Sequence, residues 1–164
     1  MAEVSPLNQL YHRYKNRGFQ FFTIYVREAH PGEKVSEHTT FSQKVSRAES
    51  CKQEEEISVP VLVDSLDGQL HRDYGLLPNM IYVINRQGII VYKSDWTDAE
   101  ELEGLFENMT RWEEAKSKGR HFRVSYAQRL RYVEDDPETR KRVYQRAGEK
   151  AVKDYKKATG RNPF

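Results

Sequence analysis

The run from Phe19 to Val26 constrains the fold most, because its aromatic and β-branched side chains favour a strand over a helix. The run is too continuously apolar for an edge strand, so we expect it to be covered on both faces of a sheet. Glu28 and His30 follow the run closely. Since side chains alternate along a strand, these two leave the same face if the strand continues that far.

A carboxylate beside an imidazole has a defined chemical use. A Glu can orient a His ring and raise its pKa, which suits proton delivery near neutral pH. Open α/β sheets also place their chemistry just beyond the carboxyl ends of parallel strands. The alternative is a solvated strand end before a turn, because a motif as short as Glu28-x-His30 often occurs without a function.

The remaining patterns predict a mixed α/β chain. Two strands joined by a helix indicate a parallel crossover, and two strands joined by a tight turn indicate an antiparallel hairpin. The predicted elements are a helix from Ser5 to Gly18, a helix capped by Thr39 or Thr40 with the stripe Phe41, Val45, Ala48 and Cys51, a strand from Val59 to Val63, a short helix from Gln69 to Tyr74, a hairpin from Met80 to Tyr92, a helix with a Thr97 to Glu100 capping box, and helices from Asp136 to Gly148 and from Glu149 to Ala158.

Charge divides the chain at about residue 118. From Gly119 onward there are 13 Lys or Arg residues against 6 Asp or Glu residues, although the whole chain carries only +2. We therefore predict a main domain over residues 1–118 and a basic helical extension over residues 119–164. The single cysteine excludes an intrachain disulfide. The sequence contains no apolar stretch of membrane-spanning length and no signal segment, which predicts a cytoplasmic protein.

Several segments resemble iodothyronine deiodinase-like proteins over roughly residues 5 to 109. The first is Val26 to Pro31, whose Glu-Ala-His-Pro element is the most specific part. The others are His38, Arg47 to Glu49, Val59 to Asp64, Leu77 to Ile84 and Gly88 to Lys93. The resemblance implies a thioredoxin-like three-layer α/β sandwich with a mixed sheet. The chain departs from the family pattern after Gly32, where an acidic-Gly-aromatic sequence is usual, and after Lys93, where the loop is shortened.

What the resemblance implies is thiol or selenol oxidoreductase chemistry. Glu28 would orient His30, His30 would donate a proton, and Pro78, commonly cis in the family, would shape a substrate groove. A thiol reductant or thioredoxin-type partner is implied. Apart from the resemblance, no His, Cys or acidic residues have convincing metal-ligand spacing, so we predict neither a metal nor a cofactor. Peroxide, a disulfide and a halogenated aromatic all stay open as substrates, because fold carries chemistry more reliably than substrate.

The nucleophile of the family pattern is missing. In that pattern a central strand and a loop with a reactive Cys or selenocysteine precede the first helix, whereas this chain begins at or inside that helix. We therefore expect that Met1 is not the natural start and that the domain is inactive as given. An upstream sequence without an in-frame Cys or UGA codon would contradict this. Cys51 is a candidate resolving thiol, but we favour a half-buried structural cysteine.

The competing hypothesis is a non-catalytic interaction module that uses its sheet edges or the basic extension. Nucleic-acid binding would draw on the positive segment Arg120, Arg123, Arg129, Arg131, Arg140, Lys141, Arg142 and Arg146. The acidic residues Glu134, Asp135, Asp136 and Glu138 interrupt it, so we favour a solvated helix that packs its Val143, Tyr144, Ala147 and Val152 side on the main domain. A partner helix is equally compatible. His38 and His71 are predicted to be surface residues without a role.

Overall fold

The computed structural model describes residues 4–123, 125–130, 132 and 136–164, so Met1, Arg131, Glu134 and Asp135 lie outside the described residues. Within the described residues the chain is mixed α/β, with six helices and two small two-stranded sheets. The elements are α1 Val4–Tyr14, β1 Thr23–Tyr25, α2 Phe41–Glu54, β2 Val61–Val63, α3 Gln69–Asp73, β3 Ile81–Ile84, β4 Ile90–Ser94, α4 Ala99–Ser117, α5 Pro137–Ala147 and α6 Glu149–Thr159.

Contacts divide the chain into two compact units. The first unit contains residues 1–97 and 136–164, and the second contains residues 98–135. The basic helices α5 and α6 therefore belong to the same unit as β1, β2 and the hairpin. The division at residue 118 stays a prediction. No helix in the described ranges has both the length and the apolar character that crossing a membrane requires.

The predicted parallel crossover is confirmed. Strands β1 and β2 pair in parallel with Thr23 opposite Val61 and Tyr25 opposite Val63, and α2 lies between them in sequence. The N–H of Asp64 donates to the carbonyl of Tyr25 at 3.0 Å, which extends the pairing by one bond. The carboxyl ends of both strands therefore lie at the same edge of this sheet.

The expectation that the first strand is covered on both faces is wrong. Only Thr23–Tyr25 form the strand, and all three residues are half-buried. Phe22 just before it is 56% exposed, and Leu62 on the neighbouring strand is 48% exposed. In the described residues no ladder joins this sheet to the β3–β4 sheet. A sheet of two three-residue strands is too narrow to bury both of its faces, whatever its composition.

The predicted hairpin is confirmed. Strands β3 and β4 pair antiparallel, with Ile81 opposite Ser94. In the turn the side-chain oxygen of Asn85 accepts hydrogen bonds from the N–H groups of Gln87 and Ile89, at 3.0 and 2.9 Å. Gly88 has φ +79°, a conformation that glycine adopts without the steric cost of a Cβ.

Helix starts follow local capping chemistry, with one correction. Thr40 and Gln43 form the reciprocal capping box of α2, and Asp136 caps α5, as predicted. The Thr97 capping box is wrong. Asp98 caps α4 by accepting from the N–H of Glu101 at 2.8 Å, because the Thr97 hydroxyl instead donates to the carbonyl of Asn79.

A buried polar cluster replaces part of the predicted apolar stripe of α2. Phe41 is 50% exposed, which contradicts its place in that stripe, whereas Lys44 is only 2% exposed. The Nζ of Lys44 donates to the carbonyl of Ser65 at 2.7 Å, just beyond β2. This hydrogen bond gives the buried ammonium group a polar partner, which reduces the cost of placing a charged residue where an apolar one was expected. Ala48 and Cys51 are buried as predicted.

His71 belongs to the same cluster, so its prediction as a surface residue is wrong. It is 6% exposed, and its Nε2 lies 3.3 Å from the carbonyl oxygen of Leu77. Asp64 accepts from the backbone N–H groups of Leu70 and His71, both at 3.1 Å. Burial alone would raise the pKa of Asp64, but these N–H groups outweigh burial and hold the pKa below its ordinary value. The cluster therefore ties α2 and the first turn of α3 to the end of β2.

Candidate functional site

The segment that follows β1 is a loop over residues 26–40, not a continuation of the strand. Glu28 and His30 both lie in this loop. The strand alternation that predicted a shared face therefore does not apply to them. Their side chains have different direct partners.

Glu28 is part of a cluster with Tyr25 and His38, which we call the Tyr25 cluster. The Tyr25 hydroxyl donates to Oε2 of Glu28 at 3.4 Å and lies 3.1 Å from Nε2 of His38. The Tyr25 and His38 rings are also in contact, with centroids 5.6 Å apart. All three residues are half-buried. The hydroxyl of Tyr25 thus links a carboxylate to an imidazole.

The hydrogen bonds of the Tyr25 cluster have a consistent direction. When Tyr25 donates to Glu28, its oxygen accepts from the Nε2–H of His38. Burial raises the pKa of Tyr25 far above its ordinary value, and the negative charge of Glu28 adds to the effect, so Tyr25 keeps its proton. Donors and acceptors therefore follow one another from His38 through Tyr25 to Glu28, and these hydrogen bonds hold the carboxylate in place.

His30 contacts α5 rather than Glu28. Its ring packs on Tyr144 with centroids 4.6 Å apart, and none of the described hydrogen bonds joins it to Glu28. Burial lowers the pKa of His30, the charge of Glu28 raises it, and the charge of Arg146 lowers it further. The net pKa therefore lies below 6.5, although Glu28 raises it. The loss of solvation outweighs the carboxylate.

His38 is the site residue that sequence reasoning missed, and it is half-buried rather than exposed. Burial lowers its pKa, Glu28 raises it, and the positive charges of Lys44 and Arg47 lower it further, with a net decrease. Glu28 is therefore the common negative neighbour of both imidazoles. The sequence did contain one signal for this site. Tyr25, three residues before Glu28, has a hydroxyl that can hydrogen-bond to both a carboxylate and an imidazole.

Cys51 lies on α2 and is 7% exposed. Burial raises the pKa of its thiol, and the opposing charges of Arg146 and Arg47 do not reverse the increase. A buried thiol with a raised pKa is largely protonated at neutral pH and is a poor nucleophile. These features favour the structural role, and the resolving role stays a prediction.

Two arginines close to these groups are held by ion pairs. Arg47 binds Glu54 through two hydrogen bonds of 2.8 and 3.2 Å. Arg146 of α5 binds Glu55, the residue that follows α2, at 2.6 Å. The second pair connects residues 91 positions apart, so it also fixes α5 against the end of α2.

Pro78 lies in a different environment. It is exposed, and the carbonyl of its neighbour Leu77 is the one that His71 contacts. The described residues contain no cis peptide bond, so the bond before Pro78 is trans. None of the described polar or ring contacts joins Pro78 to Glu28 or His30. Its role in a substrate groove stays a prediction.

In the part of the chain that the structure describes, no three His, Cys, Asp or Glu side chains lie close enough together to hold a metal ion. No protein-family model matches this chain, and neither a curated protein nor a solved structure matches it significantly.

Proposed function

We propose that this chain carries the proton-handling part of a thiol- or selenol-dependent reductive site in a thioredoxin-like, deiodinase-like domain. The observation that carries the proposal is the hydrogen-bonded Tyr25 cluster at the end of β1, which holds the Glu28 carboxylate in the same loop as the His30 imidazole. The order of β1, α2, β2 and the β3–β4 hairpin supports the thioredoxin-like assignment.

Reduction of a peroxide or a disulfide by a thiolate needs one proton. The thiolate sulfur attacks one oxygen or sulfur atom, the O–O or S–S bond breaks, and the leaving hydroxide or thiolate takes up the proton. A positioned acid typically accelerates such a step by about 10² to 10⁴-fold. Half-buried imidazoles near a carboxylate are suited to this task, because the surroundings fix where the proton is delivered.

Each residue has a separate role in the proposed site. His30 donates the proton, and the negative charge of Glu28 stabilises its imidazolium form. Tyr25 holds the Glu28 carboxylate in position through its hydrogen bond, and His38 in turn contacts the Tyr25 hydroxyl. The lowered pKa of His30 makes its imidazolium a stronger acid, although a smaller fraction is protonated at neutral pH.

The attacking thiolate or selenolate comes from a group other than Cys51. Cys51 is the single cysteine of the sequence, and it is buried with a raised pKa. By itself the chain is therefore expected to be inactive, and we propose that an added small thiol or a thioredoxin-type partner supplies the nucleophile.

The full chain with hydrogen peroxide and an excess of dithiothreitol tests this function. We expect thiol oxidation faster than in a protein-free control, and an unchanged rate in the Cys51→Ser variant. Both the consumption of peroxide and the loss of thiol are measured. A rate equal to the protein-free control would refute the function. Loss of the rate in Cys51→Ser would show instead that Cys51 is the nucleophile.

A non-catalytic interaction module is the second candidate, and exposed apolar side chains on both sheets favour it. Leu62 on β2 is 48% exposed, and Ile84 on β3 and Ile90 on β4 are 47% and 50% exposed. Exposed apolar strands offer backbone pairing and apolar surface to another chain. This candidate predicts no turnover with dithiothreitol together with concentration-dependent self-association in sedimentation experiments, which a Leu62→Lys change would weaken.

A further inference from the structure

We propose that the C-terminal helices α5 and α6 are part of the Glu28–His30 site, and that Tyr144 is the residue that positions the His30 ring. Both helices belong to the same compact unit as β1 and the loop after it. The inference depends on three sets of contacts: the docking of the helices, the close fit of two glycines, and the ring contact between Tyr144 and His30.

The loop after β1 is hydrogen-bonded to both helices. The N–H of Lys34 donates to the carbonyl of Ala147, the last residue of α5, at 3.2 Å. The carboxylate of Glu33 accepts from the backbone N–H groups of Glu149 and Lys150 at 2.6 and 2.9 Å. These N–H groups belong to the first turn of α6, where backbone N–H groups have no acceptor within their own helix. The loop thus caps α6 at the same place where it binds the end of α5.

Two glycines make this fit possible. A Cβ on Gly32 would overlap the backbone carbonyl of Ala147, and a Cβ on Gly148 would overlap the carboxylate of Glu33. Gly148 also has φ +109°, which strongly favours glycine. The sequence therefore provides glycine on both sides of the contact, in the loop and between the helices.

Tyr144 connects this docked pair to His30. It is 2% exposed, its ring lies against His30 on one side, and its centroid is 5.2 Å from that of Tyr155 on α6. Arg146, two residues further along α5, is held by Glu55. The helix pair therefore fixes the orientation of the His30 ring, removes water from it and places a positive charge near it.

Helix docking and the protonation of His30 are then linked. The charged groups that act on His30 are Glu28 from its own loop and Arg146 from α5, while Tyr144 covers the ring. Because the docked state favours the neutral ring, protonation of His30 opposes docking. The contribution of the neutral ring to docking is complete above pH 6.5. That contribution decreases as the pH falls from 6.5 toward the lowered pKa of His30. Tyr144 thereby acts on the group that donates the proton in the proposed function, so its role in catalysis rests on that function.

The experiment is an NMR titration of the His30 imidazole in the full-length chain, with the signal assigned by its loss in His30→Gln. We expect a pKa below 6.5 in the unmodified protein and a higher pKa in Tyr144→Leu. Tyr144→Phe keeps the ring and should keep the low pKa. Tyr126→Leu removes a tyrosine that is 88% exposed and should leave the titration unchanged.

An unchanged His30 pKa in a folded Tyr144→Leu variant would overturn the inference, as would an equal increase in Tyr144→Phe. If Tyr144→Leu does not fold, the unmodified protein decides: ring centroids 4.6 Å apart predict a nuclear Overhauser effect between His30 and Tyr144. Its absence would overturn the inference. Neither readout requires turnover, so an inert enzyme assay would refute the proposed function and leave the positioning result intact.

Discussion

His30→Gln should slow dithiothreitol-dependent peroxide reduction by about 100-fold or more, within the range that a positioned proton donor contributes. Glutamine keeps a polar side chain of similar length but cannot deliver a proton near neutral pH. Initial rates at saturating peroxide, compared with those of the unmodified chain, measure the effect.

His121→Gln is the matched control for this change, because His121 is an exposed histidine. We expect it to retain the full rate. Equal rates for His30→Gln and His121→Gln would show that His30 is not the proton donor. An equally large loss in both would point to an effect on the protein as a whole.

Gly32→Ala should lower the free energy of unfolding of the compact unit that contains α5 by about 1–3 kcal/mol, the usual cost of overpacking. The added Cβ meets the backbone carbonyl of Ala147, which cannot turn aside as a flexible side chain can. Urea denaturation followed by circular dichroism measures the change.

Gly104→Ala serves as the control for the loss of a glycine. Gly104 lies inside α4, and a Cβ there meets no atom within 4 Å. Alanine should therefore stabilise this helix by about 0.5–1 kcal/mol. If Gly32→Ala were as stable as the unmodified chain, the close docking of the loop on α5 would be incorrect.

Local chemistry made part of the fold predictable. The caps at Thr40 and Asp136 and the turn at Asn85 and Gly88 depend on residues within a few positions of one another. The Thr97 cap failed because a carbonyl 18 residues away competes for its hydroxyl. Local sequence does not contain that competitor.

Burial was less predictable, because it depends on what the tertiary structure places opposite each residue. Phe22 has a strongly apolar sequence context, yet it is exposed beside a sheet of only two strands. Lys44 is charged, yet it is buried, because the carbonyl of Ser65 accepts a hydrogen bond from its ammonium group. Neither the narrow sheet beside Phe22 nor the Ser65 carbonyl that binds Lys44 can be inferred from the residues next to them in sequence.

The candidate site shows the same limit. Glu28 and His30 stand out in the sequence because they are two residues apart. Tyr25, the hydrogen-bond partner of Glu28, is also local, but the other partners in the site are not. His38 lies 13 residues from Tyr25, and Tyr144 lies more than a hundred residues from His30. The net pKa of His30 lies below its ordinary value for this reason, since desolvation by tertiary packing outweighs the neighbouring carboxylate.

One titration decides whether a single acidic side chain serves both imidazoles, as the proposed site requires. The pKa values of His30 and His38 are measured by NMR in the unmodified chain and in Glu28→Gln. Both should lie below 6.5 in the unmodified chain and fall further in the variant, because the charge of Glu28 raises each of them. If either value is unchanged in Glu28→Gln, that histidine does not share the carboxylate, and the site as proposed is wrong.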